Sequence, residues 1–450
     1  MLKSAPVFPL PHCDMVRYPK TKLPSTPDLR LNERDGPPRA LTAPWRPKNK
    51  KFSTPVPGRK DVEWERPRQR EELMGSHKPV RASSGLASLT VSLAVAAFFT
   101  ASVSVNAADL TPQEKALIEG AKKEGAVTIL NPIFSDRTGQ RMAAAFKKRY
   151  GLGDDFQFNN LRKGTGATVA QVRQEIQAGK FTVDILLVSS PAFFDTAAKR
   201  GAFEKLDSGY WKNHEELANK AGQYSKYPYV VVPFAYSFQP VWNASCPGMA
   251  NFHAESYADV IKPELKGKTI VSDITKSFTY TNTTIALEEA KAVDFPAYWD
   301  KVKTTDPLIE FRTEPKMQLV ISCERPLDMW NLSGRVYQNV LKKPELAKVL
   351  KIGHYKEGQV MLGNQAAVIK GAPHPNAGKL LIEFLLSKEG TDVFVEGEAM
   401  YSFMKGYKPP KEAQPYLFDL ASTKLLGMKD WVGAAKQYKP VRDEWQKRFQ

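Results

Sequence analysis

The chain has 450 residues, of which 42% are hydrophobic and 25% charged, and its formal net charge is +17. This length exceeds one typical domain, and the apolar content is enough for buried cores, which excludes a wholly disordered chain. The charge by itself would suggest an anionic partner. However, residues 1–107 carry 18 Lys and Arg against 9 Asp and Glu, about half of the net charge.

Residues 1–73 lack the pattern of a folded domain. They contain 13 of the 33 prolines and no sustained hydrophobic period, so they cannot bury enough apolar surface to offset the entropy of ordering. A nucleic-acid-binding arm is disfavoured, because there is neither a Gly/aromatic repeat nor a basic helix. We predict no nucleic-acid partner and interpret this stretch as a disordered extension from a start codon assigned too early.

Residues 74–107 have the organisation of a secretory signal peptide. A basic beginning precedes an apolar run of 14 residues (86–99), and the small-x-small cleavage motif Val105-Asn106-Ala107 follows. The run is too short to span a membrane, and no Cys after the motif could carry a lipid anchor. We expect cleavage near Ala107 and a mature periplasmic protein.

Strand and helix patterns alternate after the cleavage site. Thr111 and Glu114 form a capping box at the first helix, which stops at Gly125. Predicted strands follow at Ala126–Leu130, Phe156–Leu161 and Phe181–Val188, and predicted helices at Gln140–Tyr150 and Val169–Ala178. The short links between them indicate an α/β domain with a mostly parallel sheet.

Three loops follow the carboxyl ends of these strands, where open α/β sheets bind ligands. Small hydroxyl residues and Gly before a helix leave backbone N–H groups that favour an anion. The candidate ligand contacts in these loops are Asn131, Gly164, Thr165, Gly166, Ser189 and Ser190. The alternative for Gly164–Gly166 is an ordinary turn and cap, and the motif matches neither a dinucleotide-binding fingerprint nor a P-loop.

Residues 244–354 have the pattern of a second α/β unit. A strand at Lys268–Ser272 leads into a hydroxyl-rich loop before a helix, and Ser277, Thr279 and Tyr280 are candidate contacts there, unless they only cap the helix. Further on, Arg325 is a candidate for binding a carboxylate or phosphate, and Trp330 for stacking on an organic ligand. The alternative is a surface ion pair and a core aromatic.

The stretch from Gly363 to Gly390 organises the rest of the chain. Gln365–Lys370 is a predicted strand, and the prolines around His374, which we expect to be structural, end it. A helix with one apolar face follows, with Asn376 as its predicted cap and Gly390 as its left-handed terminus. The closing residues 391–450 are predicted to be helical.

The sequence of this stretch, GNQAAVIKGAPHPNAGKLLIEFLLSKEG, closely resembles a segment in the later part of family 1 extracellular solute-binding proteins. These are the substrate-capturing subunits of bacterial ATP-binding-cassette (ABC) importers, and they include a ferric-iron-binding branch. The segments AKKEGAVTIL, AFKKRYG, QEIQAGKFTVDILL and AAKRGAFEKLDS have close counterparts in the same order, and SYADVIKPELKGKTIVSDITKS resembles a later motif. The resemblance spans roughly residues 110–400.

This resemblance implies an α/β, two-lobed type II periplasmic binding protein fold, in which each lobe is a mixed, mostly parallel sheet flanked by helices. A two-strand hinge would join lobe 1, residues 108–236 and 356–392, to lobe 2, residues 237–355 and 393–450. The implied function is that of a monomeric binding protein, not an enzyme. It would capture a small solute between the lobes and deliver it to an inner-membrane permease.

The resemblance leaves the solute open. The iron-binding branch commonly uses adjacent tyrosines, whose phenolate oxygens suit Fe(III), and this chain has no Tyr-Tyr pair. We therefore expect a small organic anion, with no cofactor and no resident metal. The alternative is Fe(III) with Tyr236, Tyr280 or Tyr355 as donors.

Two further features remain open in the sequence. Cys246 and Cys323 of the exported chain either form a disulfide or stay as separate buried thiols, and no His lies near enough in sequence to suggest zinc. No GxSxG, HExxH, CxxC or P-loop motif occurs. A secreted enzyme on a related two-lobed fold is the competing class, and a cleft acid or His with a perturbed pKa would favour it.

Overall fold

The structure is a computed structural model that describes residues 110–450. The predicted N-terminal extension, signal peptide and cleavage site lie outside this range. The helices are α1 Pro112–Glu124, α2 Asp136–Tyr150, α3 Thr165–Ala178, α4 Pro191–Lys199, α5 Lys212–Lys220, α6 Phe278–Glu289, α7 Ala297–Thr304, α8 Thr313–Ile321, α9 Ser333–Lys342, α10 Pro375–Leu386, α11 Lys388–Glu398 and α12 Tyr438–Phe449. The strands are β1 Ala126–Asn131, β2 Gln157–Arg162, β3 Ile185–Val188, β4 Val231–Tyr236, β5 Gln239–Asn243, β6 Thr269–Val271, β7 Leu308–Ile309, β8 Leu327–Asn331, β9 Leu350–Ile352, β10 Gln359–Val360, β11 Leu362–Val368, β12 Tyr401–Ser402 and β13 Leu425–Leu426.

Two mixed sheets define two lobes. The first sheet has the order β12-β4-β11-β3-β1-β2, and the second has the order β7-β6-β8-β5-β9. Strand β1 runs parallel to β2 and β3, whereas β11 is antiparallel to both β3 and β4. In the second sheet, β6 is parallel to β7 and β8, whereas β5 is antiparallel to β8 and β9. The predicted α/β architecture with mixed sheets is confirmed. The sheets are less parallel than expected, because β5 and β11 each form two antiparallel pairs.

The chain passes between the lobes at β4–β5 and returns at β10–β11. Strand β12 pairs with β4, and α11 packs on α2, so residues 393–402, which we expected in lobe 2, lie with the first sheet. The last helix, α12, packs against α6 and α7 of the second lobe. The long segment between β12 and α12 is mostly irregular and not helical as expected.

The start of α1 has the predicted capping box. The Thr111 hydroxyl accepts a hydrogen bond from Glu114 N at 3.1 Å, and the Glu114 carboxylate accepts one from Thr111 N at 2.7 Å. Glu114 is also fully buried, and its carboxylate forms a 2.9 Å ion pair with Arg149. The capping residue therefore also fixes α1 to the end of α2.

Helix α10 is confirmed, but its two predicted ends are wrong. His374 is the N-cap residue, and Asn376 lies inside the helix, because the Glu124 carboxylate accepts hydrogen bonds from the Asn376 and Ala377 N–H groups at 3.0 and 2.8 Å. Ser387 ends α10 and caps α11, accepting a hydrogen bond from Gly390 N. A Cβ on Gly390 would overlap the Phe384 carbonyl, so glycine permits this close approach and not a left-handed turn.

A disulfide joins Cys246 and Cys323, whose Cα atoms are 5.5 Å apart. It ties the loop after β5 to the loop before β8 in the second lobe. Within residues 110–450, no helix is both long and apolar enough to cross a membrane.

Candidate functional site

The cleft between the lobes contains a cavity of about 530 Å³, called the first compartment below. Thr165 lines it from the first lobe, Tyr280, Thr313 and Arg335 line it from the second, and Tyr236 lies at the crossing between them. The volume lies within the range of roughly 300–1,000 Å³ that is usual for small-molecule sites. The compartment can therefore enclose an organic molecule.

Four helices, α3, α6, α8 and α9, begin at the wall of this compartment. In the described structure, none of their N-cap side chains accepts a hydrogen bond from a backbone N–H group of its helix. The first N–H groups of a helix have no acceptor within the helix, and the helix dipole gives that end a partial positive charge. The four helix starts therefore create a favourable environment for an anion.

Arg335, in the first turn of α9, places a half-buried guanidinium in the compartment. Its Nε donates to the Thr313 hydroxyl at 2.9 Å, and a second nitrogen donates to Gln338. Burial lowers the pKa of Arg335, but an arginine keeps its charge in a folded protein. No carboxylate within residues 110–450 forms an ion pair with Arg335, so the charge is available to a ligand.

The acidic groups near Arg335 have protein partners. Glu398 accepts hydrogen bonds from Ser135 N at 2.7 Å and from Gln338. Glu314, which also lines the compartment, accepts hydrogen bonds from Gln318 at 2.8 Å and from Asn339 at 3.4 Å. Glu310 lies outside the lining and pairs with Arg312 at 2.7 Å, which lowers the pKa of Glu310 to about 2. Within residues 110–450, the lining cations Lys276 and Arg335 form no ion pair, whereas the lining carboxylates Glu314 and Glu398 accept hydrogen bonds from protein groups, so the cations are the charges left for a ligand.

Two tyrosines lie in the same wall. The Tyr280 hydroxyl donates to the Phe311 carbonyl at 3.2 Å, and burial raises the pKa of both Tyr236 and Tyr280. Both phenols are therefore protonated at neutral pH. Within residues 110–450, no three His, Cys, Asp or Glu side chains are grouped as a metal site.

A second compartment of about 650 Å³ adjoins the first, and Thr165, Gly166 and Phe278 line both. The start of α4 at Ser190 and the side chain of Asn282 in α6 form part of its wall. Trp431, Ala435 and Tyr438 of the C-terminal segment complete it.

The structure brings nine of the twelve predicted site residues to these compartments. Gly164, Thr165, Gly166, Tyr236, Ser277, Thr279 and Tyr280 line the first, and Ser189 and Ser190 line the second. Asn131 is fully buried just behind the wall, where its Oδ1 accepts hydrogen bonds from Ile133 N and Phe134 N at 3.0 and 2.7 Å. It shapes the loop that lines the cavity without reaching it.

The other two predicted residues lie away from the cleft. Arg325 donates to the Gly267 carbonyl and lines neither compartment. Tyr355 is buried, donates to the Met329 carbonyl at 2.7 Å and stacks on Tyr257 with ring centroids 3.8 Å apart. Both side chains are occupied by protein partners, which removes the reason for expecting them at the ligand.

Trp330 is a core aromatic and not a ligand platform. It is 3% exposed, and its ring stacks on those of Tyr280 and Phe238, with centroids 6.1 and 6.3 Å away. It supports the cavity wall from behind.

Sequence reasoning did not select Arg335, Phe278 or Asn282. A strand end followed by a helix start had marked the other loops, and the same signal is present at β8–α9, where Arg335 lies in the first turn. Phe278 and Asn282 lie within one turn of the selected hydroxyl residues. We looked for small polar residues at a helix start. Phe278 is apolar, and Asn282 lies in the second turn of α6, so neither met this criterion.

Several known structures share this fold, and three of them are compared with this chain. Iron-bound HitA from Pseudomonas aeruginosa aligns at a TM-score of 0.52 with 19% identity, covering 71% of this chain and 99% of its own. FutA from Trichodesmium, with iron and citrate, aligns at 0.54 with 16% identity over 72% of this chain and 98% of its own. AfuA from Actinobacillus pleuropneumoniae, with fructose 6-phosphate, aligns at 0.52 with 16% identity over 72% and 98%.

At these identities the alignments establish the type II periplasmic binding protein fold and do not extend to the ligand. A comparison with curated protein sequences returned no match. Residues 138–397, more than half of the chain, match the family model described as bacterial extracellular solute-binding protein. The chain therefore belongs to the bacterial extracellular solute-binding proteins.

Proposed function

We propose that this solute-binding component of an ABC importer works in the periplasm as a monomer and binds a small organic anion in the first compartment. The observation that carries the proposal is Arg335, a guanidinium without an ion-pair partner in the described chain, placed among four helix N-termini. An anion placed there would accept charge-assisted hydrogen bonds, which are about twice as strong as neutral ones.

The exposed aromatics of the first compartment favour an organic anion over a bare ion. Phe278 is 46% exposed and Phe311 is 39% exposed, and both line the compartment. A carbon-containing ligand that covers these rings removes apolar surface from water, which makes its binding more favourable. An inorganic ion would leave both rings hydrated.

Transport would use closure of the two lobes around the solute, the hinge motion of periplasmic binding proteins. The crossings at β4–β5 and β10–β11 would form the hinge. The closed form would present its surface to the inner-membrane permease. The residues of the predicted signal peptide would direct export, with cleavage near Ala107.

A catalytic role has less support. Glu383, whose pKa burial raises to about 7, and His214, whose pKa burial lowers to about 4, line neither compartment. A perturbed acid or imidazole in the cleft was the feature that would have favoured an enzyme. We therefore infer binding without catalysis.

The proposal is tested by calorimetric titration of the protein with organic acids, phosphonates and sugar phosphates. Arg335→Gln should weaken binding of the preferred anion about 10- to 100-fold, because a hydrogen bond to a charged group contributes roughly 1.5–3 kcal/mol. Arg325→Gln is the matched control and should bind as the wild type does. Equal weakening by both variants, or no effect of Arg335→Gln, would contradict the assignment.

Fe(III) is the second candidate, because Tyr236 and Tyr280 both line the first compartment. Iron would have to displace the protons of both buried phenols beside the Arg335 charge, which opposes cation binding. Titration with ferric citrate decides the question. Tight uptake with a visible tyrosinate-to-iron absorption band, lost in Tyr280→Phe, would support iron over the organic anion.

A further inference from the structure

The second compartment is completed by a part of the chain that the family match does not include. Trp431, Ala435 and Tyr438 line it, and the match ends at residue 397. The same C-terminal segment is attached to both lobes, since Trp431 Nε1 donates to the Gly222 carbonyl and Gln437 donates to Glu289 at 3.1 Å. The compartment therefore has a fixed third wall in addition to the two lobes.

Asn282 supplies an unused polar group in this compartment. Its side chain is 3% exposed and lines the cavity, and its Oδ1 has no hydrogen-bond partner among residues 110–450. A buried acceptor that remains unpaired costs roughly 1–3 kcal/mol. The Oδ1 atom is itself covered by protein, so a hydroxyl or N–H group of a ligand in the compartment satisfies it once the amide turns about its Cβ–Cγ bond toward the cavity.

Phe278 connects the two compartments, since it lines both. Its ring lies 5.7 Å from that of Tyr438, and the Arg442 guanidinium lies over both rings, at 5.5 and 5.1 Å from their centroids. Arg442 Nε also donates to the Thr281 hydroxyl at 3.0 Å, which holds this stack in place. A molecule that extends from Arg335 to Asn282 would cover the exposed face of Phe278.

We propose that the second compartment binds the body of the same solute, which is an elongated organic anion carrying at least one hydroxyl or N–H donor. Its anionic group lies at Arg335, its carbon skeleton passes Phe278, and its donor bonds to Asn282. This inference rests on the proposed function, because it places the anionic end in the first compartment. The proposal restricts the substrate class to organic anions whose carbon skeleton carries a hydrogen-bond donor.

The test uses pairs of probes that share an anionic group and differ in the body. Inorganic phosphate is paired with fructose 6-phosphate, and acetate is paired with gluconate, each titrated calorimetrically into the purified protein. In at least one pair, the elongated probe should bind the wild-type protein at least tenfold more tightly than the short probe does. Asn282→Ala should weaken that elongated probe about 3- to 10-fold, as expected for one neutral hydrogen bond, and leave the short probe unchanged.

Thr283→Ala is the matched control. It truncates a neighbouring buried residue of α6 whose hydroxyl donates to the Thr279 carbonyl at 2.9 Å and which lines neither compartment. Phe278→Ala, at an exposed position, gives a second variant that should weaken the elongated probe more than the short one, since Phe278 lines both compartments. Thermal melting of each variant checks that it is folded.

The outcomes separate the two proposals. If the short probes bind and the elongated ones bind no tighter, or if Asn282→Ala weakens both members equally, the second compartment is not part of the site and the anion proposal stands. If no probe of either kind binds the folded wild type, the proposed anion function fails, and this inference fails with it.

Discussion

The Lys316 ammonium lies 3.1 Å from Asp328 Oδ1, and both side chains are completely buried behind the first compartment. Lys316 also donates to the Ser272 hydroxyl at 2.8 Å and to the Trp330 carbonyl, and its Nζ lies 5.1 Å from the centroid of the Tyr280 ring. Burial opposes the charge on Lys316, but the Asp328 carboxylate raises the pKa of Lys316 above its ordinary value. The pair therefore holds α8, β8 and the cavity wall at Tyr280 together.

Lys316→Met should destabilise the protein by about 3–5 kcal/mol, because it leaves the Asp328 carboxylate buried without its cation. Urea unfolding followed by tryptophan fluorescence measures the loss. The double variant Lys316→Met/Asp328→Asn should recover most of it, since no charge then remains in the interior. A double variant as unstable as the single one would contradict this explanation.

The pH dependence of stability should contain two opposing contributions. Burial raises the pKa of Glu383 to about 7, so its contribution is complete below its unfolded value of 4.5 and is lost as the pH rises through 7. Burial lowers the pKa of His214 to about 4, so its contribution is complete above 6.5 and is lost as the pH falls through 4. Each is worth up to about 3 kcal/mol, and between pH 4.5 and 6.5 they should largely cancel.

Separate variants should reveal the two slopes. In Glu383→Gln, the free energy of unfolding should increase with pH between 4.5 and 6.5 more steeply than in the wild type, because only the His214 contribution remains. In His214→Gln, it should decrease with pH over the same interval. Urea titrations at several pH values give both slopes, and slopes equal to that of the wild type would contradict the assignments.

The Cys246–Cys323 disulfide should be detectable and stabilising. Intact mass without reductant should be two hydrogens lower than that of the thiol form, and labelling of both thiols in the native oxidised protein would rule the bond out. Replacing both cysteines by serine should cost roughly 2–5 kcal/mol, because the bond closes a loop with a sequence separation of 77 residues. Dithiothreitol should lower the stability of the wild type and leave the double variant unchanged.

Asp184 should be essential for the start of α10. This fully buried carboxylate accepts hydrogen bonds from Thr128 N at 2.7 Å and from His374 N at 2.8 Å, and it lies 3.0 Å from His374 Nδ1. Asp184→Ala leaves buried N–H groups unsatisfied and should cost about 2–4 kcal/mol. Glu204→Gln, which weakens a half-exposed ion pair with Lys379, should change the unfolding free energy by less than about 1 kcal/mol.

The sequence was sufficient for the elements whose causes are local. The capping box at Thr111 and Glu114 and the apolar period of α10 depend on residues within a few positions of each other, and both are present. The predicted start of α10 failed because Glu124, more than 250 residues earlier in the chain, accepts hydrogen bonds from its first N–H groups. A long-range cap leaves no local signal.

The site was partly predictable for the same reason. Gly and hydroxyl residues between a strand and a helix identify a helix start, and the fold brings such starts to one cleft, which is why Thr165 and Ser277 line it. A long side chain such as arginine can turn to either side of its element. Only the tertiary structure distinguishes Arg335, which lies in the cleft, from Arg325, which binds a backbone carbonyl elsewhere.

The position of β11 in the first sheet constrains the order in which the lobes can assemble. β11 lies between β3 and β4, although the chain makes it only after all five strands of the second sheet. The second sheet is contained in residues 239–352, whereas the first needs residues 126–402. As the polypeptide emerges from its N-terminus, the later lobe can complete its hydrogen-bonded sheet while the earlier lobe still lacks a central strand. The sheet that begins first in the sequence is thus the one that is completed last.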